Sequence, residues 1–353
     1  MALEAKGIKR SYGDFSISLD LAVDNGETLA LVGPSGSGKT TALSLIAGLS
    51  KMEEGQLFID GEDISALPAW KRNISIVFQD LALFPHLDVG GNIDFALRIG
   101  KRPKPEREKT VEALLDLVRL GSYASRKIHT LSGGEKQRVA IARSLASKPR
   151  ALLLDEPFSS LDTPLRSEMR REFLDIRSRS DAPCVFVTHD REEAAMLGHR
   201  LALMADGRIV ETGSARELFL FPKTEFAARF FASGQVLPSR AMGKRPGGIE
   251  VASPLGTLTI PSHLENVPLT GKVFIPNDAV SLSKREEAGW KSFCARCTDT
   301  IFEGSKLVLK LQLVAEEKIT LPFEVISNPR TEPPRPGSTV DFWVNESLLR
   351  FVK

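Results

Sequence analysis

The sequence predicts an α/β domain followed by a small all-β domain, on three observations. "TLALVG", "ALLLDE" and "CVFVTHD" are short continuous apolar runs joined by longer helical patterns, as expected of parallel strands buried on both faces. "FSISLDLAV", residues 15–23, instead alternates strictly, the mark of a half-buried antiparallel strand. Beyond "FFASGQVLPSRAMGKRPGG" the texture changes to short strands broken by Gly and Pro turns, which places a domain boundary near residue 235.

In chain order, the first strand puts Phe15, Ile17, Leu19, Leu21 and Val23 on one face and stops at the turn signal "DNG". "TLALVG" runs into a glycine-rich turn and then the helix "TTALSLIAGL". Residues 90–147 read as a helical block between two buried strands, interrupted by "RPKPE" and Gly121, with "KRPKPEREK" as a solvated loop and helix start. In the C-terminal part, "IEVASPLGTLTI", "KLVLKLQLV" and "STVDFWV" are strands.

With 353 residues, 42% hydrophobic and 26% charged, the chain has globular composition and room for two or three domains. A formal charge of +2 from scattered basic residues argues against a nucleic-acid surface or a polybasic membrane anchor. No apolar run approaches the roughly 18 residues of a membrane span, and "MALEAKGIKR" lacks the apolar core of a secretory signal, so a cytoplasmic location is expected. Cys184, Cys294 and Cys297 are too few for a disulfide framework, and one C-x-x-C supplies half the ligands of a structural zinc.

"GPSGSGKTT", residues 33–41, fits the phosphate-binding P-loop, with a buried strand before it and a helix after it. Gly33, Pro34, Ser35, Gly36, Ser37 and Gly38 form a turn whose successive N–H groups can wrap phosphates, with Ser35 and Ser37 as further donors. Lys39 neutralises charge on the β and γ phosphates, the Thr40 hydroxyl is placed to ligate Mg²⁺, and Thr41 closes the motif. "ALLLDEP" delivers Asp155 and Glu156 at the carboxyl end of a buried strand, where α/β sheets bind ligands. Asp155 suits Mg²⁺, and Glu156 suits polarising an attacking water. "VFVTHD" brings His189 to the same sheet edge.

"LSGGEKQRVAIARSL", residues 131–145, opens a helix with a capping box, Ser132 at the N-cap and Glu135 reaching back. Capping does not call for Gly133 and Gly134, each of which costs a helix interior about 1 kcal/mol against alanine. Bare backbone at a helix start implies close approach by an anion.

In this order the motifs make the chain resemble the ATPase subunits of ABC transporters over essentially its whole length: an ABC cassette, then a barrel of the OB or TOBE type. The resemblance implies ATP and Mg²⁺, and that "LSGGE" caps the γ-phosphate held by the P-loop of a second copy. It matches Tyr12 of "RSYGDF" to the aromatic that stacks on adenine, Gln79 of "VFQD" to a Q-loop that touches the metal and the catalytic centre, Asp162 of "SSLD" to the D-loop, and His189 to the switch histidine. "FQDLALFPHLDVGGNI" looks like importer ATPases for maltose, polyamine, sulfate, molybdate and ferric ion, in which it underlies the groove for the permease's coupling helix; Leu81, Leu83 and Phe84 are the groove candidates.

The resemblance thus implies a homodimer on the cytoplasmic face of the inner membrane, an integral-membrane permease as partner, and a solute-binding protein acting indirectly from outside. The texture of the C-terminal part leans toward the ferric, thiamine or molybdate type, and the expected solute is an inorganic ion of the ferric, sulfate or molybdate type or another small solute. "IPNDAVSL" stands where many such proteins carry an Arg-Pro-Glu-Asp run, which favours dimerisation over ligand sensing there. Two other readings of the P-loop compete. A soluble ABC protein acting on DNA or ribosomes usually carries long heptad helices, zinc cysteines or a duplicated cassette, none of which this sequence has. A P-loop kinase has no use for "LSGGEKQR".

Overall fold

The computed structural model of the chain describes residues 2–159, 161, 163–232, 234–245, 247–261, 270–303, 306–313, 322–327 and 332–352. It divides into two compact units, residues 1–215 and 216–353.

The first unit runs β1 (Leu3–Tyr12), β2 (Phe15–Val23), β3 (Thr28–Val32), α1 (Lys39–Ala47), β4 (Glu54–Ile59), β5 (Glu62–Asp63) and β6 (Ile74–Val77). The helical block follows as α2 (Val89–Ile99), α3 (Lys104–Leu117) and α4 (Gly133–Ala146). The chain returns to the sheet through β7 (Ala151–Asp155), α5 (Thr163–Arg177), β8 (Cys184–Thr188), α6 (Arg191–Leu197), β9 (Arg200–Ala205) and β10 (Arg208–Gly213). All ten strands form one sheet in the order β5, β4, β1, β2, β10, β9, β3, β8, β7, β6.

The two textures of the sequence map onto the two halves of that sheet. β9, β3, β8, β7 and β6 run parallel, and all five residues of β3, β7 and β8 are buried. Alternate side chains point to opposite faces. Leu29, Leu31, Leu153, Val185 and Val187 join Ala42, Leu43, Leu45 and Ile46 of α1 in one cluster. Phe186 faces the other way, onto Phe158, which meets Phe173 of α5 edge-on at 5.8 Å. β1, β2, β4 and β5 pair antiparallel, and in β2 the predicted face is the buried one, with Phe15 packed at its rim. The helical block breaks where its prolines fall: α2 is capped by Asp88, and α3 begins right after Pro103.

The second unit begins inside α7 (Ala215–Leu220), passes through α8 (Glu225–Phe231) and continues as β11 (Gly234–Arg245), β12 (Gly248–Ser253), β13 (Gly256–Ile260), β14 (Thr270–Pro276) and β15 (Val280–Ser281). It ends with β16 (Trp290–Glu303), β17 (Lys306–Leu313), β18 (Pro322–Ser327), β19 (Thr339–Asn345) and β20 (Arg350–Val352). Two five-stranded antiparallel sheets enclose one apolar cluster that includes Val251, Leu258, Val273, Leu309, Phe342 and Val344. The division falls about twenty residues before the position read from texture, because α8 belongs with the strands: Ala228 and Ala232 pack on Phe274 and Val352. A helical segment has no strand texture to announce such an attachment.

Candidate active site

Parallel pairing levels the carboxyl ends of four strands. Val32 of β3 is in register with Thr188 of β8, Val187 of β8 with Asp155 of β7, and Leu154 of β7 with Val77 of β6. The residues that follow, Gly33, His189, Glu156 and Gln79, therefore leave the sheet at one edge, although up to 156 positions separate them in sequence (189 − 33). This is where open α/β sheets bind ligands.

The loop after β3 has its shape because only glycine fits at two positions. A Cβ on Gly33 would lie 2.1 Å from the Met204 carbonyl oxygen of β9. Gly38 takes φ +99°, and a Cβ there would meet Ile17 Cδ1 at 2.4 Å. Gly38 caps α1 without any side-chain hydrogen bond, so the N–H groups of the first turn keep their capacity for an anion. Replacing Gly33 by alanine is expected to destabilise the first unit by about 1–3 kcal/mol, read as a lower Tm in thermal melting with nucleotide binding falling alongside.

Pro34, Ser35 and Gly36 form the exposed rim of the loop, Ser37 and Lys39 are buried, Thr40 is exposed and Thr41 half-buried. Lys39 Nζ donates to the Gly33 and Pro34 carbonyls at 2.9 and 2.8 Å and reaches Ser37 Oγ at 3.5 Å. Burial lowers the Lys39 pKa, and the facing Glu156 and Asp155 carboxylates oppose that shift. Thr40 Oγ1 donates to Asp155 Oδ1 at 3.1 Å. Asp155 is pushed up, first by burial and then by the charge of Glu156, while the Thr40 hydroxyl and Lys39 pull it down. Two oxygen donors are too few for a resident metal and suit a Mg²⁺ that takes its other oxygens from phosphate and water. The residues present therefore fit both groups.

Glu156 has left-handed backbone at φ +43°, uncommon for a residue with a side chain. Its N–H donates to the Val187 carbonyl at 3.0 Å, and its own carbonyl accepts from Ser159 Oγ at 2.9 Å. The strained turn aims its carboxylate at the exposed His189, whose Nδ1 lies 3.1 Å from Glu156 Oε1.

Sequence reasoning missed what holds His189. Arg170 of α5, largely buried, donates from Nη2 to Asp190 Oδ2 at 2.6 Å and from Nε to Glu193 Oε1 at 3.1 Å. Thr188 Oγ1 donates to the buried Glu193, and the Asp190 side chain caps α6. The residues on either side of the histidine are thus locked. "HDREE" carries the cap signal, but nothing in the local pattern points to an arginine twenty positions away.

Among the described residues, Gln79 and Tyr12 share no hydrogen bond with this cluster. Gln79 is exposed two residues past the end of β6. Tyr12, 40% exposed at the end of β1, lies under the Arg10 guanidinium at 5.2 Å. Asp162 falls outside the described residues.

The Ser132 capping box is present as read: Ser132 N–H donates to Glu135 Oε2 at 2.7 Å and Glu135 N–H to Ser132 Oγ at 3.3 Å. The Ser132 N–H holds Glu135 below the ordinary carboxylate range. Ser132 and Gly133 are exposed and Gly134 is buried. A Cβ on Gly134 would press on Leu165 at 3.1 Å, so that glycine also answers to packing against α5. Of the expected groove residues, Leu81 is buried and Leu83 and Phe84 are half-buried, so packing claims part of that stretch.

Comparison with known proteins shows the family. A profile of the family described as ABC transporter matches residues 17–159. The spermidine/putrescine import ATP-binding protein PotA of Haemophilus influenzae is 42% identical over 258 residues, 72% of this chain and 69% of that protein. The putrescine transport ATP-binding protein PotG of Escherichia coli is 42% identical over 254 residues, 71% and 67% of the two chains. Among solved structures, cbiO1 from Clostridium perfringens, part of the ABC transporter complex cbiONQ, superposes with a TM-score of 0.57 at 27% identity, covering 62% of this chain and 90% of that one. PotA and PotG are named for spermidine and putrescine, so the expectation of an inorganic ion gains no support from them. Among the described residues no helix is long and apolar enough to cross a membrane. ATP with Mg²⁺ is the nucleotide that such subunits hydrolyse, coupled to transport through a membrane permease. The chain belongs to the ABC transporter family, among the ATP-binding subunits of its importers.

Proposed function

We propose that two copies of this chain sandwich ATP, each site built from the P-loop of one copy and the Ser132–Gly134 turn of the other, to drive import of a polyamine. The observation that carries the reading is the gathering of Lys39, Thr40, Asp155, Glu156 and His189 at one sheet edge, while among the described residues the exposed helix start at Ser132 and Gly133 shares no hydrogen bond with them. A second copy completes what one copy leaves open.

Lys39 balances phosphate charge, and Thr40 with Asp155, helped by Gln79, would hold Mg²⁺, which when bound offsets charge on the phosphate oxygens. Glu156 accepts the proton of the attacking water, and His189 keeps its carboxylate in place. Closure follows from higher affinity of the closed pair for ATP than for ADP, a population shift that the Gln79 loop passes to the permease. Tyr12 stacks on the adenine ring.

The printed names of the relatives support spermidine or putrescine as solute. The subunit lies on the cytoplasmic face of the membrane, with a solute-binding protein outside, and its TOBE-like second unit serves dimerisation. Vesicles holding this chain with its permease and binding protein are expected to take up labelled putrescine or spermidine on ATP addition; uptake of sulfate, molybdate or ferric ion instead would return the solute to the inorganic class. Ser132→Arg places a cation and bulk at the sandwich: ATP binding by the single chain is expected to persist while dimer formation and hydrolysis stop. Undiminished ATPase in that variant would remove the shared site.

A further inference from the structure

The loop after Gln79 is folded against backbone preference. Leu81 and Ala82 both take left-handed conformation, φ +62° and +44°, and neither is glycine. Their two carbonyls are taken by a single side chain: Arg143 Nη2 donates to the Leu81 oxygen at 2.7 Å and Nη1 to the Ala82 oxygen at 2.6 Å. The same guanidinium lies over the Phe84 ring at 5.4 Å, and that ring meets Phe95 of α2 at 4.4 Å. Asn92 of α2, fully buried, accepts from the Phe84 N–H at 2.8 Å and donates back to the Phe84 carbonyl at 3.1 Å. The loop is therefore gripped by α4 and α2, whereas it reaches β6 through the exposed Phe78, Gln79 and Asp80.

Arg143 stands in the helix whose first turn is Gly133–Glu135, about 15 Å along the axis at 1.5 Å per residue. A helix of this length moves as a rod, so displacement at one end is delivered to the other. We propose that Arg143 is a positioning residue that ties the Ser132–Gly134 turn to the Gln79 loop, so that closure on ATP moves the loop facing the permease. The inference rests on the shared-site reading above and adds the residue that transmits it. Arginine is required because its planar fork offers two diverging N–H donors and a flat face for the Phe84 ring; a lysine ammonium offers a point charge without that fork.

The test uses the complete transporter in proteoliposomes, this chain with its permease and binding protein, carrying Arg143→Lys or, as a second variant, Arg143→Gln. Melting temperature, KM for ATP and unstimulated ATPase are expected to stay near wild type, while stimulation by loaded binding protein and solute uptake fall about tenfold or more. Stimulation and uptake that survive in both variants overturn the proposal. So does a loss in which melting temperature, unstimulated rate and stimulated rate all fall together, since that marks a residue needed only for folding. Failure of the shared-site reading shows separately, as a wild-type chain whose ATPase is insensitive to Ser132→Arg.

Discussion

Glu156→Gln is expected to lower kcat for ATP by roughly two to four orders of magnitude, the usual worth of a positioned general base, with ATP affinity retained. At about 1.4 kcal/mol per tenfold, that is roughly 3–5 kcal/mol of barrier. The prediction is sharp because backbone sets the carboxylate: the left-handed turn at φ +43°, the N–H bond to the Val187 carbonyl and the Ser159 hydroxyl all persist in the variant. Glutamine keeps the shape and can still pair with His189 but takes no proton. Bound ATP then remains intact and the closed pair accumulates. Single-turnover hydrolysis and the dimer fraction with ATP check both halves; hydrolysis at the wild-type rate would remove Glu156 from the mechanism.

Lys39→Ala is expected to fail earlier, at binding. A hydrogen bond to a charged group is worth about 1.5–3 kcal/mol, so loss of one phosphate contact weakens ATP by about 10- to 150-fold. The substitution also removes the cation that opposes the rise in the Asp155 pKa, leaving that carboxyl higher still and less ready to hold Mg²⁺ at a given pH. The loop itself is expected to survive: the Gly33 and Pro34 carbonyls lose their donor, but Pro34 is exposed to water and the glycine constraints at 33 and 38 are untouched. Equilibrium dialysis with labelled ATP and a thermal melt separate the two effects. Unchanged affinity would refute the role given to Lys39.

Where residues act through their neighbours in sequence, the site was legible. The capping box at Ser132 and Glu135 and the burial of "ALLLD" and "CVFVT" read correctly, because each is a local demand on backbone or periodicity, whereas Gly33 and Gly38 answer to Met204 and Ile17, distant in sequence. The groove residues were less legible. Leu81 is buried at a backbone reversal that no propensity for leucine announces, and the reversed carbonyl is taken by Arg143, 62 positions later. Gly134 carried one visible meaning and one hidden meaning, since Leu165 reaches it only when α4 and α5 pack.

By itself the sequence determined the local pieces: a glycine-rich turn with its lysine and threonine, an acidic pair after a buried strand, a histidine at a strand end, and a glycine-bearing helix start. Tertiary structure alone decided which of these meet. Thr40 reaches Asp155 across 115 positions because β3, β8 and β7 pair in parallel register, and Arg170 locks the His189 loop because α5 packs beside α6. The physical reason is range. Helix caps, turns and apolar periodicity are satisfied within a few residues, whereas strand order and buried ion pairs are settled by competition among long-range contacts that no local pattern encodes.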